Sequence, residues 1–151
     1  MLRIALLKPE HVAAVAAGYT AEWPDWYGPE GAADAVAELE ARAGGEALPL
    51  GLVALDGDEV IGSVALSEHS VSSHRHLTPW MIGLWTRPSH RRQGVATQLI
   101  VEAVALAAAR SAQRLFVATH DAPELFKAPN WRLHEAVEYD GRMLMVFVAD
   151  L

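Results

Sequence analysis

The sequence contains no cysteine, which removes disulfides, thiolate zinc sites and cysteine nucleophiles together. Basic residues are also scarce: 12 Lys and Arg stand against 19 Asp and Glu, a net charge of −7. A general nucleic-acid binder needs a basic face to neutralise phosphates. No nucleic-acid partner is therefore expected, and the acidic balance leaves room for cationic, amine-bearing partners. No apolar run reaches the roughly 18 residues of a membrane span. The N-terminal stretch has one early Arg but no continuous apolar core followed by a small-residue cleavage site. The expectation is a cytoplasmic protein without membrane association. His74 and His76 flank Arg75 in a polar stretch with no third ligand at metal spacing, so both are expected at the surface and no metal is expected. A Gly-rich loop ending in Lys-Ser/Thr is missing too, which excludes a nucleotide-phosphate binder of that kind.

What is present suits one globular domain over residues 1–151, with 52% apolar and 21% charged residues and no repeat or linker. Residues 2–6 alternate as a strand. Pro9 suits the first residue of a helix, with Val12, Val15, Ala16 and Tyr19 at helical spacing. An aromatic, proline-broken stretch follows at 22–29. A second helix carries Ala32, Val36, Leu39 and Ala43 on one face and stops at Gly44-Gly45. Residues 50–55 and 60–66 form a hairpin around Asp56-Gly57-Asp58. A polar loop at 67–78 leads to a nearly all-apolar, central strand at 79–86. The longest helix, about 97–111, has Ala96, Leu99, Ile100, Ala103, Val104 and Ala107 in one stripe. A buried strand at 115–118 completes a right-handed parallel crossover. After a short helix at 123–127, a second hairpin joins 131–138 to 142–149 around Asp140-Gly141. The order β-α-α-β-β-β-α-β-α-β-β implies a three-layer α/β fold with a mixed sheet and helices on both faces.

The chemistry concentrates where the central strand meets the longest helix. Leu84-Trp85-Thr86-Arg87-Pro88 is followed by Ser89-His90-Arg91-Arg92-Gln93-Gly94-Val95-Ala96. A helix N-terminus offers unpaired backbone N–H groups and a positive dipole end. Gly94 lets the backbone approach a ligand, and Ala96 is too small to block it. Arg91 and Arg92 add positive charge to an acidic chain, so the turn suits a diphosphate. Short glycine motifs match often by chance, and an ordinary helix cap would read the same way. The strand–turn–helix context favours the ligand.

Here the sequence resembles the GNAT superfamily of acetyl-CoA-dependent N-acetyltransferases. Arg91-Arg92-Gln93-Gly94-Val95-Ala96 matches its Q/R-x-x-G-x-G/A pyrophosphate loop, and Leu84 to Pro88 resembles the strand leading into it. Leu115 to Thr119, then Leu125-Phe126 and Trp131, resemble the next strand and the "FYxxxGW" segment. The resemblance implies a mostly antiparallel sheet with a splayed parallel central pair. It also implies acetyl-CoA as cosubstrate, held by Leu84, Trp85, Thr86, Arg91, Arg92, Gln93, Gly94, Val95, Ala96, Thr97 and Phe126. Three positions depart from the pattern: Arg92 stands where Gly is frequent, Asn130 replaces Gly before Trp131, and Phe126 replaces a Tyr that protonates the departing thiolate.

Acetyl transfer to an amine needs a neutral nitrogen, yet a lysine-type amine has a pKa of roughly 10.4, so a base must take a proton. By family analogy Glu68 and His69 face the cleft just past the third strand. Glu68 is the first candidate for base or water-orienter, and His69 for sharing that role or touching the acceptor. His120, followed by Asp121, is a second candidate as base, acid or cofactor contact. Glu22, Trp23, Trp26 and Tyr27 are candidates for the acceptor wall, where aromatics beside carboxylates suit a cation. A solvated loop carboxylate, a turn histidine or plain aromatic packing would look the same in sequence. Tyr139 in the second hairpin is a further candidate proton donor. The reading is N-acetyltransfer to a primary amine, small-molecule or peptide, directly, because no Cys can carry the acyl group. The rival is an acyl-CoA sensor of the same fold without turnover, favoured by Phe126. The C-terminal hairpin could also pair between subunits in a homodimer.

Overall fold

The computed structural model describes residues 1–127 and 130–151. Among them seven strands form one sheet in the order β1-β2-β3-β4-β5-β7-β6. The strands are β1 (Leu2–Leu6), β2 (Leu50–Asp56), β3 (Glu59–Ser67), β4 (Trp80–Thr86), β5 (Arg114–Thr119), β6 (Trp131–Tyr139) and β7 (Arg142–Asp150). Four helices accompany them: α1 (Val12–Glu22), α2 (Pro24–Tyr27), α3 (Ala35–Arg42) and α4 (Val95–Ala109). β4 and β5 run parallel, and the other neighbouring pairs run antiparallel.

Strand alternation builds two cores, one on each face of the sheet. Leu52, Ala54, Ile61, Met81 and Val117 point to one side, where Leu99, Ile100 and Ala103 of α4 cover them. Val53, Leu55, Val60 and Trp85 point to the other side, under α1 and α3. Further along that second face, Trp80, Phe116, Val146 and Val148 pack with Val71, from the segment between β3 and β4. Both faces being covered explains why β2, β3 and β4 read as nearly continuous apolar runs.

Three boundaries and faces differ from the sequence reading. The Asp34 side chain accepts the Ala37 N–H at 3.1 Å and fixes the start of α3. From there Ala35, Leu39 and Arg42 turn inward, whereas Val36 stays 45% exposed and Ala32 and Ala43 fall outside the helix. α4 begins at Val95 rather than Thr97, because Gly94 supplies a left-handed cap, and it ends before Ser111, itself left-handed. His74 is buried rather than on the surface. Its Nε2 meets Glu135 Oε2 of β6 at 2.7 Å, and Ser72 and Tyr139 hydroxyls lie 2.9 Å apart beside it. These two ties hold the 67–78 segment over the sheet.

Candidate active site

Among the described residues, β4 and β5 pair at Trp80 with Phe116 and at Met81 with Val117, and beyond these they splay. The cause lies in β4. Its register against β3 shifts between Ser63 and Ala65, and Gly83 takes a φ of 63°, a β-bulge. A Cβ at Gly83 would collide with the Tyr19 hydroxyl, so only glycine fits. The Tyr19 hydroxyl donates to the Gly83 carbonyl at 2.6 Å, and Arg42 Nη1 donates to the same hydroxyl at 3.2 Å. Arg42 Nη2 donates to Glu38 Oε1 at 3.3 Å, which also accepts the Tyr27 hydroxyl at 3.0 Å. Burial raises the Tyr19 phenol above its ordinary value against the opposing pull of Arg42, so Tyr19 remains a donor. Burial and the Glu38 carboxylate push Tyr27 up likewise. This buried chain joins α1, α2 and α3 to the bulge.

The splay opens a cleft of ≈ 690 Å³ between β4, β5, the end of α1 and the start of α4. At one end Gly94, at a φ of 82°, turns the chain into α4 with no side chain capping the helix. The first N–H groups of α4, at the lip of the cleft, therefore have no side-chain acceptor among the described residues, which makes an anion cradle. Arg92 lines the same end at a φ of 61°. That left-handed backbone favours glycine sterically. Arg91 Nε donates to the Thr86 carbonyl at 3.1 Å, and its Nη2 meets Glu22 Oε2, from the last residue of α1, at 2.7 Å.

His120 lies past the end of β5 on the opposite wall. Its Nδ1 sits 2.9 Å from the Met143 carbonyl. A carbonyl only accepts, so Nδ1 carries a proton, and in the neutral tautomer this leaves the lone pair on Nε2. Asp121 beside it is paired with Arg142 at 2.9 Å.

Of the residues singled out in the sequence, Leu84, Thr86, Arg91, Arg92, Gly94, Val95, Ala96, Thr97, the 117–119 part of β5, His120, Asp121, Leu125, Phe126, Glu22 and Trp23 line this cleft. The rest do not. Trp85 is buried on the far face against Gly18 and Tyr19, although its backbone lies on the cleft strand. Gln93 is exposed outside the cleft. Trp26 is 55% exposed, and Tyr27 stacks on Tyr19 and Trp23 from behind. Glu68 and His69, expected to face the cleft, line a second hollow with Leu48, Pro79 and Arg110, near the C-terminal end of α4. Ser67, the last residue of β3, pairs with Trp80, the first of β4. The chain thus leaves β3 at the end of β4 remote from the Gly94 turn. Phe126 packs edge-on against Trp131 at 5.1 Å and near Phe147 at 5.7 Å. Sequence reasoning missed Gly83, Ser70 and Ile82 in the cleft and Arg42 behind it. The isolated glycine inside an apolar strand was the available signal for the bulge.

A mixed sheet whose two parallel strands part beside an uncapped helix N-terminus defines a protein that holds an extended, phosphate-bearing ligand. The model of the acetyltransferase (GNAT) family matches residues 15–135, and the chain belongs to that family, whose cofactor is acetyl-CoA. No curated protein matches the sequence. Among solved structures, aminoglycoside 6′-acetyltransferase type Ii is 16% identical with a TM-score of 0.80, over 98% of this chain and 96% of that one. An aminoglycoside 6′-N-acetyltransferase complexed with coenzyme A is 12% identical with a TM-score of 0.78, over 98% and 96%. A ribosomal-protein-alanine N-acetyltransferase from Brucella melitensis is 18% identical with a TM-score of 0.78, over 99% of both chains. At these identities the likeness is one of fold. The residues present fit the family's cofactor: the uncapped α4 N-terminus and Arg92 suit the diphosphate, and the parted edges of β4 and β5 suit an extended arm with amide groups.

Proposed function

We propose that the protein transfers an acetyl group from acetyl-CoA to a primary amine, with His120 as the base. Bound acetyl-CoA supplies an activated acyl thioester. The chain's own residues do the rest. The Gly94 turn and Arg92 hold the diphosphate, and the parted backbone edges along 82–86 and 118–119 hold the arm. Glu22 and Trp23 wall the side where the amine enters. A cationic amine must lose a proton before it attacks, and His120 Nε2 is the unprotonated cleft nitrogen placed to accept it. Transfer is direct because no Cys exists to carry the acyl group. Phe126 donates no proton, and a leaving thiol with a pKa near 8.5 does not require one from the protein.

The observation that carries this reading is the His120–Met143 hydrogen bond at 2.9 Å, which fixes a basic Nε2 in the same cleft as the anion cradle. The experiment is thiol release with acetyl-CoA against a panel of primary amines, for wild type and His120→Gln. A loss of about 10²–10⁴ in kcat with CoA affinity unchanged supports the role. An undiminished kcat removes it. A wild type that binds acetyl-CoA and acetylates no amine supports a sensor instead, the reading that Phe126 at the cleft floor favours.

A further inference from the structure

Glu22 is an unusual residue to find at its position. It closes α1, where the helix dipole places partial negative charge. A carboxylate there gains nothing from the helix. Arg91, 69 residues further on, compensates it at 2.7 Å, with both side chains about half exposed. The two residues also line one cleft from different walls, Glu22 beside Trp23 and Arg91 beside the Gly94 turn. In this arrangement each charge that a ligand would need is occupied by the other.

Resting on the acetyl-CoA reading above, we propose that Glu22 selects a cationic amine and is released for that task when the cofactor's diphosphate draws Arg91 away. The exchange is favourable on general grounds. A part-exposed single ion pair is weak, whereas a diphosphate presents several charged acceptor oxygens to a guanidinium. Once Arg91 turns to phosphate, Glu22 is a carboxylate on the cleft wall without its cation, with the Trp23 ring beside it. The other cleft carboxylate, Asp121, remains paired with Arg142. An ammonium group then finds one free carboxylate and one aromatic face. The consequence is positive coupling: bound CoA raises the affinity for a cation, and by linkage a cation raises the affinity for CoA.

The test is calorimetric titration of the full chain with CoA, and with 1,4-diaminobutane in the absence and presence of saturating CoA. Wild type is compared with Glu22→Gln and Arg91→Gln. Glu22→Gln should bind CoA about two- to five-fold tighter, because Arg91 loses its competitor. In wild type the diamine should bind at least about threefold tighter with CoA present, and Glu22→Gln should abolish that gain. Arg91→Gln should bind the diamine at the raised affinity without CoA. A merely structural role for the pair would weaken CoA binding in Glu22→Gln, and that result overturns the proposal. Equal diamine affinity with and without CoA, no diamine binding, or a gain that survives in Glu22→Gln overturns it as well. Failure of the wild type to bind CoA overturns the cofactor reading and this proposal with it, whereas normal CoA binding with any of the other failures overturns this proposal alone.

Discussion

Replacing Tyr19 by Phe removes one buried oxygen that serves two partners at once, the buried Arg42 and the half-buried Gly83. The Gly83 carbonyl loses its donor at 2.6 Å, and Arg42 Nη1 loses its acceptor at 3.2 Å. Arg42 cannot turn to water, since it is only 6% exposed, whereas Gly83 is half-buried on the cleft wall and its carbonyl can be hydrated there. A buried polar group left unpaired costs about 1–3 kcal/mol, and a charged one more. Arg42 keeps Glu38 through Nη2, so a loss of about 1–3 kcal/mol is expected, most of it from Arg42. That leaves a domain of ordinary stability folded. The bulge at Gly83 also loses its anchor, so CoA affinity should fall at least about threefold, or about 0.7 kcal/mol. Urea unfolding followed by tryptophan fluorescence gives the stability change, and calorimetry gives the CoA affinity. The double variant with Arg42→Met supplies the internal check. In the Tyr19→Phe background Arg42 has already lost its partner, so removing it should cost at least about 1 kcal/mol less than it does in wild type. Additive losses, or a Tyr19→Phe loss below about 1 kcal/mol, would refute the claim that this hydroxyl ties the core to the bulge.

Gly94→Asp combines a φ of 82° that disfavours any side chain with a negative charge at the anion cradle. CoA affinity measured by calorimetry should fall at least tenfold, about 1.4 kcal/mol. Glu68→Gln should leave kcat within about twofold of wild type, because Glu68 lines the second hollow and not the cleft; a hundredfold fall would return the base to Glu68. The His74 hydrogen bond holds the Glu135 carboxyl below its ordinary value of 4.5. The folded chain therefore takes up that proton less readily than the unfolded chain. The resulting stabilisation is complete above 4.5 and is lost as the pH falls through the lowered value. Melting temperatures from about pH 6 to about pH 3 should fall more steeply for wild type than for Glu135→Gln, and parallel slopes would sever the link.

Features set by short-range pattern were legible in the sequence. The apolar runs of β2 and β3, the Asp-Gly turns and the strand–turn–helix at 84–97 all state their structure locally. The Gly94 end of the cleft was legible for the same reason, since a helix N-terminus and its turn are contiguous in the chain. The misplaced residues are those whose surroundings come from far away. Arg42 looks like a cation in the last turn of a helix, and nothing near it announces Tyr19, 23 residues earlier. His74 sits in a polar stretch and is buried by Glu135, 61 residues later. Glu68 failed for a geometric reason. Its distance in sequence from β3 is certain, but which side of the sheet the chain takes after β3 depends on tertiary packing. Ser70, two residues on, lines the cleft that Glu68 misses.

One of the departures from the family pattern, Arg92, has an electrostatic account. The chain carries a net charge of −7, and such a field repels a polyanionic cofactor at long range. Arg91 and Arg92 invert the sign locally at the mouth of the cleft. Arg92 does so from a left-handed φ of 61°, a conformation that costs a non-glycine residue about 1–2 kcal/mol. Stability alone gives no reason to keep an arginine there. A guanidinium lining the cleft beside the helix N-terminus gives one, because it has no carboxylate partner among the described residues and stays available to an anion there. Arg91 is paired with Glu22, which leaves Arg92 as the cleft arginine without a carboxylate partner among the described residues. Under the proposal above the two neighbouring arginines divide the work: Arg92 would attract the cofactor, and Arg91, drawn to its phosphates, would free Glu22 on the opposite wall.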